Sequence, residues 1–216
     1  RVYENARGCA LVDRVIVATD SVAIAEVVSG FGGEVCMTAA THQTGTDRIA
    51  EAVQHHDARL IVNIQGDEPL LPSGAIAEAV MPMLADETIS MGTLKTRIRE
   101  GDDITSKNVV KVVTNKQGFA LYFSRLPIPD NAGGHAPVIL FRHVGLYVYT
   151  KKFLMMFAGL PQTMLEKSER LEQLRALEHG YPIRVVETDY YPVGVDVPED
   201  IQRVEQILLK KNIPLH

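Results

Sequence analysis

Short apolar runs rich in β-branched residues alternate with helix-like apolar periods along the first half of the chain. The runs at residues 14–20, 34–38 and 60–67 predict strands, and a helical period follows each of them, the last over about Ser73 to Ala85. The first of these helices is predicted to be capped by Ser21 and to turn Ile24, Val27 and Val28 inward. This rhythm of strand, helix and strand predicts an α/β fold whose parallel sheet carries helices on both faces.

The second half has a different pattern. Residues 109–125 predict two antiparallel strands joined by a turn at Asn115 to Gly118. The pattern next predicts a strand at 143–150 and a helix at 151–158. It then predicts a single helix that ends at Gly180 and carries a stripe of Leu171, Leu174 and Leu177. The remaining predictions are strands at 183–188 and 191–196 and a closing helix from Pro198. We predict one domain over residues 1–216, with an elaborated hairpin region at about 105–180 that can serve as an interface.

Composition excludes several classes of protein. The chain has 216 residues, 46% of them hydrophobic, and a net charge of −5. An acidic chain does not favour nucleic-acid binding, which requires clustered Lys and Arg, although a small anionic ligand is compatible with it. There is no apolar run of the length needed for membrane insertion. Cys9 and Cys36 lack the spacing of a metal or redox motif, which favours free thiols and a cytoplasmic location.

Two carboxylates follow the most hydrophobic predicted strand. Gly66, Asp67, Glu68 and Pro69 come directly after Gln65 at its carboxyl end. Ligands of open α/β sheets bind at this edge, and Mg²⁺ is typically held there by one or two carboxylates together with substrate phosphates. The alternative is that Asp67 or Glu68 only shapes a turn before Pro69. Gly66, which lets the backbone approach a ligand closely, favours a functional role.

A second carboxylate precedes the last helix. Pro198 favours the first helical position, which makes Val197 the cap and leaves Asp196 without that role. The alternative is that Asp196 itself caps the helix. Carboxylates from two strand ends can share one or two magnesium ions, as phosphoryl and nucleotidyl transfer require.

Basic and polar residues supply further candidates. Thr44, Gly45 and Arg48 lie where a helix begins and could contact an anion or a nucleotide, although such loops are often plain helix starts. Arg142 and His143 lead into a strand and could pair with the carboxylate of an acidic sugar. A lone His143 would more often be structural, and periodicity places Glu172 and Gln173 in solvent.

Several of these segments occur together and in order in one family. IVATD, GGEVCMT, HQTGTDR, VNIQGDEP, NVVKVV, ALYFSRLPIP, RHVGLYVY, LEQLRAL and GVDVPEDI resemble the 3-deoxy-manno-octulosonate (Kdo) cytidylyltransferases over essentially the whole chain. The HQTGTDR, QGDEP and paired RHVGLY and LEQLR segments are the specific ones. GVDVPEDI is shared more widely among sugar nucleotidyltransferases.

The resemblance implies a Rossmann-like nucleotidyltransferase fold and a homodimer formed through a smaller part that contains the hairpin. It implies that the anomeric hydroxyl of Kdo attacks the α-phosphate of CTP, giving CMP-Kdo and pyrophosphate for lipopolysaccharide synthesis. The implied site residues are Asp67 and Asp196 as magnesium ligands, Gln65 near the sugar and nucleotide, Thr44, Gly45 and Arg48 at the nucleotide and sugar, and Arg142, His143, Tyr147, Glu172 and Gln173 at Kdo.

One part of the family pattern has no counterpart in these residues. A strand and a basic, glycine-containing phosphate loop would precede Arg1, so we expect a strand–loop–helix start on the order of 30 residues upstream. Without that start we expect the chain to be less than fully active. Two alternatives remain open at this point: a cytidylyltransferase for another acidic sugar such as a sialic acid, and a non-catalytic module that binds nucleotide or sugar.

Overall fold

The computed structural model describes residues 1–130, 139–195 and 197–210. Its elements in chain order are α1 (Val2–Arg7), β1 (Ile16–Thr19), α2 (Val22–Gly30), β2 (Glu34–Met37), α3 (Gly45–Val53), β3 (Leu60–Asn63), α4 (Ser73–Ala85), β4 (Met91–Arg97), β5 (Lys111–Thr114), β6 (Ala120–Ser124), β7 (Phe141–Thr150), α5 (Lys151–Ala158), α6 (Met164–Glu169), α7 (Gln173–Glu178), β8 (Arg184–Glu187) and α8 (Pro198–Lys210). This mixture of sheet and helices confirms the predicted α/β class. In these ranges, no helix is both long enough and apolar enough to cross a membrane.

The chain divides into two compact units. Unit 1 comprises residues 1–56, 63–77 and 190–216, of which 196 and 211–216 are not described, and unit 2 comprises residues 57–62 and 78–189, of which 131–138 are not described. The predicted hairpin region at about 105–180 falls within unit 2. The single domain over the whole chain stays a prediction.

Unit 1 contains a two-stranded parallel sheet with helices packed against it. Ile16 pairs with Glu34 and Thr19 with Met37, so β1 and β2 end at the same edge. The hydroxyl of Ser21 accepts a hydrogen bond from the Ile24 backbone N–H, which confirms the predicted cap of α2. The predicted inward face of α2 is wrong except at Val28, because Ile24 and Val27 are exposed.

Unit 2 is built around a mixed sheet. Its main strand order is β6, β5, β7, β4, β8, and β3 also pairs with β7. β4 and β8 are parallel, whereas β7 runs antiparallel to both β4 and β5. The predicted parallel arrangement is confirmed for the β1–β2 pair, and the sheet of unit 2 is mixed, with β4–β8 as a parallel pair that was not predicted.

The predicted hairpin is present as β5 and β6. Asn115 explains the turn, because its side-chain oxygen accepts hydrogen bonds from the backbone N–H groups of Gln117 and Phe119. Gly118 has a φ of +78°, a conformation that favours glycine. The hairpin prediction is confirmed in both its strands and its turn.

The helix predicted to end at Gly180 is broken in two. α6 ends at Glu169, Arg170 adopts a left-handed conformation with φ 55°, and α7 begins at Gln173. Arg125 stabilises the break, because its guanidinium donates hydrogen bonds to the carbonyl oxygens of Glu169 at 2.8 Å and Arg170 at 3.2 Å. The Glu169 carboxylate in turn accepts hydrogen bonds from the Ser124 hydroxyl and the Arg125 backbone N–H.

Two further predictions about strands were incomplete. The predicted strand at 191–196 is not observed over residues 191–195, and Asp196 lies outside the described residues. β4, a central strand of the sheet, was not predicted at all. Its sequence MGTLKTR contains few apolar residues, yet Met91, Gly92, Thr93, Leu94 and Thr96 are buried.

Candidate functional site

Arg48 joins the carboxyl ends of β1 and β2 in unit 1. Its guanidinium lies 3.1 Å from the carboxylate of Asp20, which follows β1, and donates a hydrogen bond of 2.7 Å to the hydroxyl of Thr38, which follows β2. The hydrogen bond from Arg48 is the main reason that the pKa of Asp20 is lowered. Arg48 was predicted to contact substrate, but its observed contacts are those of a residue that holds two strand ends together.

The start of α3 brings Thr44 and Gly45 close to Gln65. The Thr44 hydroxyl accepts a hydrogen bond from the Asp47 backbone N–H, as expected of a helix cap. A β-carbon added at Gly45 would lie 3.9 Å from the side-chain nitrogen of Gln65. Gln65 is itself exposed, so its amide is accessible beside the exposed amino end of this helix.

Glu51 fixes the preceding loop. Its carboxylate is hydrogen-bonded to the His42 ring and accepts a hydrogen bond of 3.0 Å from the Ala39 backbone N–H. Because Glu51 and Arg48 lie on the same helix, α3 anchors the loop at residues 38–44 at two points. The shape of this loop is therefore built into unit 1 before any ligand binds.

Asp67 and Glu68 have different roles in the loop after β3. The Glu68 carboxylate accepts a hydrogen bond of 2.6 Å from the Tyr190 hydroxyl, and its backbone carbonyl accepts one from Leu71. Asp67 is exposed, and within residues 1–130, 139–195 and 197–210 its carboxylate makes no hydrogen bond or ion pair. Of the two acids, Glu68 is the one that stabilises the turn, and Asp67 is the one available to a ligand.

The segment that precedes Asp196 is attached to the Asp67 loop. The Val195 backbone N–H donates a hydrogen bond of 2.9 Å to the Asp67 carbonyl oxygen. Pro198 is the first residue of α8, as predicted from its preference for that position, and the Val197 backbone N–H donates to the carboxylate of Asp200. Val195 and Asp67 are thus neighbours in space, although 128 positions separate them in the chain.

His143, Tyr147 and Thr93 form a second group, in unit 2. The His143 and Tyr147 ring centroids are 5.2 Å apart, and Phe123 packs edge-on against the other side of the group at 5.2 Å from His143. The Thr93 hydroxyl, which is almost completely buried, lies 2.8 Å from Nε2 of His143. We call His143, Tyr147, Thr93 and Glu172 the β7 cluster.

The surroundings of His143 and Tyr147 favour the uncharged forms of these two side chains. Burial, with a smaller contribution from the charge of Arg142, lowers the pKa of His143 to about 3. Burial, followed by the neighbouring Tyr149 and the charge of Glu172, raises the pKa of Tyr147. Burial therefore favours the uncharged form of His143 near neutral pH, which favours Arg142 over His143 as the ionic partner of a substrate carboxylate.

A buried ion pair holds Glu172 next to this group. The Arg175 guanidinium makes two hydrogen bonds with the Glu166 carboxylate, at 2.9 and 2.5 Å, and both side chains are nearly inaccessible. Arg175 also reaches the Glu172 carboxylate at 3.5 Å. Gln173, the first residue of α7, is only 5% exposed, so the prediction from periodicity that it lies in solvent is wrong.

The sequence-predicted residues therefore fall into two groups that the structure describes separately. Unit 1 contains Thr44, Gly45, Arg48, Gln65 and Asp67, and unit 2 contains Arg142, His143, Tyr147, Glu172 and Gln173. Arg142 is partly buried in β7, where its backbone pairs with both Lys111 and Thr96. Asp196 lies outside the described residues.

Sequence reasoning missed Asp20, Thr38, Thr93, Glu166 and Arg175. Asp20 carried a signal, because it ends a predicted strand just as Asp67 does. The signal for Arg175 was its place beside two candidate residues on the same predicted helix. Thr93 carried none, since the strand that contains it was not recognised.

A surface groove in unit 1 lies away from these residues. It has a volume of about 470 Å³ and is lined by residues that include Tyr3, Arg7, Arg14 and Glu34. Arg14 precedes β1 and Glu34 begins β2, so the groove lies at the amino ends of these strands, whereas Asp20 and Thr38 lie at the carboxyl ends. In the described part of the chain, no group of three or more His, Cys, Asp or Glu side chains is arranged to hold a metal ion.

Comparisons with known proteins place the chain in a family. A family model described as cytidylyltransferase matches residues 1–188. The 3-deoxy-manno-octulosonate cytidylyltransferase of Syntrophotalea carbinolica is 58% identical over 95% of this chain and 85% of its own length. The protein of the same name from Geobacter metallireducens is 50% identical over 98% of this chain and 87% of its own length.

Solved structures agree with these relatives. A CMP:2-keto-3-deoxy-manno-octonic acid synthetase complexed with CTP matches with a TM-score of 0.92 and 35% identity, over 97% of this chain and 86% of that one. A putative glucose-1-phosphate thymidylyltransferase from Bacillus anthracis matches with a TM-score of 0.63 at 12% identity, which shows a shared fold alone. Together with the fold, these findings show that the chain belongs to the 3-deoxy-manno-octulosonate cytidylyltransferase family.

Proposed function

We propose that this protein transfers CMP from CTP to the anomeric hydroxyl of Kdo, giving CMP-Kdo and pyrophosphate for lipopolysaccharide synthesis. The observation that carries the proposal is the likeness at 35% identity and TM-score 0.92 to a synthetase of this name complexed with CTP. Relatives of 50% identity or more that are named for the same activity support it.

In the proposed reaction the anomeric oxygen forms a bond to the α-phosphorus of CTP. The bond between that phosphorus and the oxygen bridging to the β-phosphate breaks, pyrophosphate leaves with the electron pair, and the anomeric hydroxyl loses its proton. Negative charge builds on the phosphate oxygens during this step. The chain's task is to hold both substrates in line and to stabilise that charge.

We assign Asp67 and Asp196 as ligands of Mg²⁺. The fit rests on the donor chemistry, because Asp67 is an exposed carboxylate without protein partners among the described residues, and Mg²⁺ commonly takes only one or two carboxylates with phosphates completing its shell. The hydrogen bond from Val195 to the Asp67 loop brings the neighbour of Asp196 to that loop. When bound, the ion would neutralise charge on the phosphates of CTP.

Residues of unit 1 are proposed to serve the nucleotide and the reacting groups. Thr44 and Gly45 leave the amino end of α3 open next to the exposed amide of Gln65, which can donate to or accept from a substrate oxygen. Arg48 is proposed to act mainly through the position of this loop, since its guanidinium contacts Asp20 and Thr38.

Residues of unit 2 are proposed to bind the acidic sugar. Arg142 is the cation among the candidates and is assigned to the sugar carboxylate, since burial keeps His143 uncharged. His143, Tyr147, Glu172 and Gln173 are assigned to the sugar hydroxyls. Existing contacts support this assignment, because the rings of His143 and Tyr147 pack against each other and Arg175 holds Glu172, all without any ligand.

We also propose a homodimer in the cytoplasm. β6 lies at an edge of the sheet of unit 2, and Leu121 on that strand and Leu126 just beyond it are both about 60% exposed. Met164 of the same unit is 73% exposed. An interface with a second copy would remove these apolar side chains from water. Both cysteines are free, as is usual in a reducing compartment.

The test is pyrophosphate release by the protein in its full natural form, given CTP, Mg²⁺ and either Kdo or a sialic acid. The proposal predicts release that depends on Kdo and is lost when EDTA removes the metal. Faster pyrophosphate release with the sialic acid than with Kdo would mean that the sugar substrate is a sialic acid and not Kdo. Folded protein that binds CTP and Kdo without releasing pyrophosphate would point to a binding module instead.

A further inference from the structure

Thr93 makes three contacts through a single hydroxyl. Its Oγ1 lies 2.7 Å from the carbonyl oxygen of Leu146, 3.2 Å from that of Val144, and 2.8 Å from Nε2 of His143. The residue is 1% exposed, so water does not take the place of any of these partners. All three contacts belong to unit 2.

A break in strand register explains why two carbonyl groups point at this hydroxyl. Along the β4–β7 pair, Thr93 is opposite Tyr147 and the next residue, Leu94, is opposite Val144, so two residues of β7 have no counterpart. Such a bulge leaves carbonyl groups without their ladder partners. The Thr93 hydroxyl lies within hydrogen-bonding distance of the carbonyl oxygens of Leu146 and Val144 and can donate its one proton to either of them.

The direction of the hydrogen bond to His143 follows from proton counting. A hydroxyl has one proton to donate, and two carbonyl oxygens within 3.2 Å can only accept. If the Thr93 proton pointed at His143 instead, the hydroxyl oxygen would face two buried carbonyl oxygens with no proton between them. The proton therefore lies towards Leu146 or Val144, and Nε2 of His143 must carry the hydrogen that it donates to Oγ1.

The other ring nitrogen then has a defined chemistry. In a neutral imidazole with its hydrogen on Nε2, Nδ1 carries an unshared electron pair and can only accept a hydrogen bond. Protonation of the ring is disfavoured, since its pKa is lowered to about 3 by burial. Phe123 and Tyr147 both pack against the ring, and His143 as a whole residue is partly exposed.

We propose that Thr93 is a positioning residue that locks His143 in the Nε2–H form, so that Nδ1 accepts a hydrogen bond from a hydroxyl group of the sugar. This inference rests on the proposed function for the identity of the sugar. According to this proposal, His143 recognises one hydroxyl group of the sugar by accepting its hydrogen bond, and His143 is not the partner of the sugar carboxylate.

The form of the ring can be measured without any substrate. In protein labelled with ¹⁵N-histidine, long-range ¹H–¹⁵N spectra distinguish the protonated from the bare ring nitrogen, and the signals of His143 are those missing in the His143→Gln variant. The expected result is a hydrogen on Nε2 and a bare Nδ1, unchanged between pH 5 and 8. A hydrogen on Nδ1 in the wild-type protein would overturn the proposal.

Kinetics of two Thr93 variants test the positioning role. Thr93→Val keeps the shape but removes the hydroxyl, and Thr93→Ser keeps the hydroxyl. For Val we expect the KM for Kdo to rise about 5- to 20-fold, on the order of one lost hydrogen bond, with the KM for CTP within about twofold of wild type. Ser should restore the KM for Kdo. If Thr93→Val raised the KM for CTP as much as the KM for Kdo, Thr93 would only support the fold. The same would follow if the KM for Kdo of Thr93→Ser were as high as that of Thr93→Val.

Kdo analogues that each lack one hydroxyl identify the group that is read. One analogue should lose affinity in the wild-type protein but show no further loss, relative to Kdo, in His143→Phe. If none of the analogues behaved in this way, the proposal would be contradicted, and this holds even if Thr93→Val failed to fold. Wild-type protein inactive on CTP and Kdo would instead sink the proposed function, and the spectrum of the His143 ring would still decide the present inference.

Discussion

The backbone N–H of Val195 donates a hydrogen bond of 2.9 Å to the carbonyl oxygen of Asp67. This contact uses the main chain of Asp67 and leaves its carboxylate exposed. The loop is held further by Tyr190, whose hydroxyl bonds to Glu68, and by Asn5, whose amide donates to the carbonyl oxygens of Pro69 and Leu71. The loop is therefore stabilised by groups other than the side chain to which we assign metal binding, so structure and activity can be separated by mutation.

Asp67→Asn is expected to remove metal-dependent turnover without unfolding the protein. Loss of a group that stabilises transition-state charge typically costs on the order of 10²–10³-fold in kcat. The measurement is pyrophosphate release at increasing Mg²⁺, together with thermal unfolding. Asp57→Asn, which changes another exposed aspartate, is the matched control and should behave as wild type. Near-normal activity of Asp67→Asn would refute the assigned role.

Breaking the buried pair of Glu166 and Arg175 is expected to be strongly destabilising. Replacing Arg175 by Met leaves a buried carboxylate without its cation, a change that typically costs about 3–5 kcal/mol. Replacing both residues, as in Glu166→Leu with Arg175→Met, should cost less than the Arg175 change alone. Urea unfolding of these two variants beside the wild type measures this. A single Arg175→Met variant that lost less than about 1 kcal/mol would contradict the importance of the pair.

Acidification is expected to weaken the link between Asp20 and Arg48. The pKa of Asp20 is lowered in the folded protein, mainly by the hydrogen bond from Arg48 and also by its own backbone and the charge of His42. The stabilisation is therefore present above the ordinary carboxyl pKa of 3.8 and is lost as the pH falls through the lower, folded value.

The corresponding measurement compares wild type with Asp20→Asn across pH 2 to 7 by chemical unfolding. The difference in stability between the two should be largest near neutral pH and should vanish at the acid end. Asp13→Asn, which changes another exposed aspartate of the same unit, is measured beside it as the control. A difference that grew on acidification would contradict the assignment.

A charged residue on the exposed apolar surface of unit 2 is expected to disrupt the proposed homodimer. Leu126→Glu places a carboxylate where we propose that a second copy packs, and should shift the protein to a monomer in sedimentation experiments. Met81→Glu, at an exposed position on α4, is the control and should leave the assembly unchanged. A wild-type protein that is monomeric at all concentrations would refute the homodimer.

The sequence predicted correctly those elements that are stabilised by contacts between residues close together in the chain. The cap of α2 depends on Ser21 and Ile24, and the hairpin turn depends on Asn115 and Gly118, all within a few residues of one another. The exposed Asp67 was likewise found from its position directly after a strand. These features need no information from distant parts of the chain.

The missed features depend on distant partners. The break between α6 and α7 is stabilised by Arg125, which lies 44 positions from Glu169 in the chain. β4 is buried because its neighbours β7 and β8 enclose it, and its own composition gives no sign of this. The neutral state of His143 similarly follows from packing against Phe123 and Tyr147, which a reading of RHVGLY alone does not reveal.

Lys111 gives the hairpin of unit 2 a built-in reporter of its opening. Its side chain is completely buried, and its ammonium group donates hydrogen bonds of 2.8 Å to the carbonyl oxygens of Ser106 and Arg125. An amine-directed reagent can modify this lysine only while those contacts are open, whereas the exposed Lys116 in the adjacent turn reacts at all times. The ratio of the labelling rate at Lys111 to that at Lys116 would therefore measure how often the hairpin opens under native conditions.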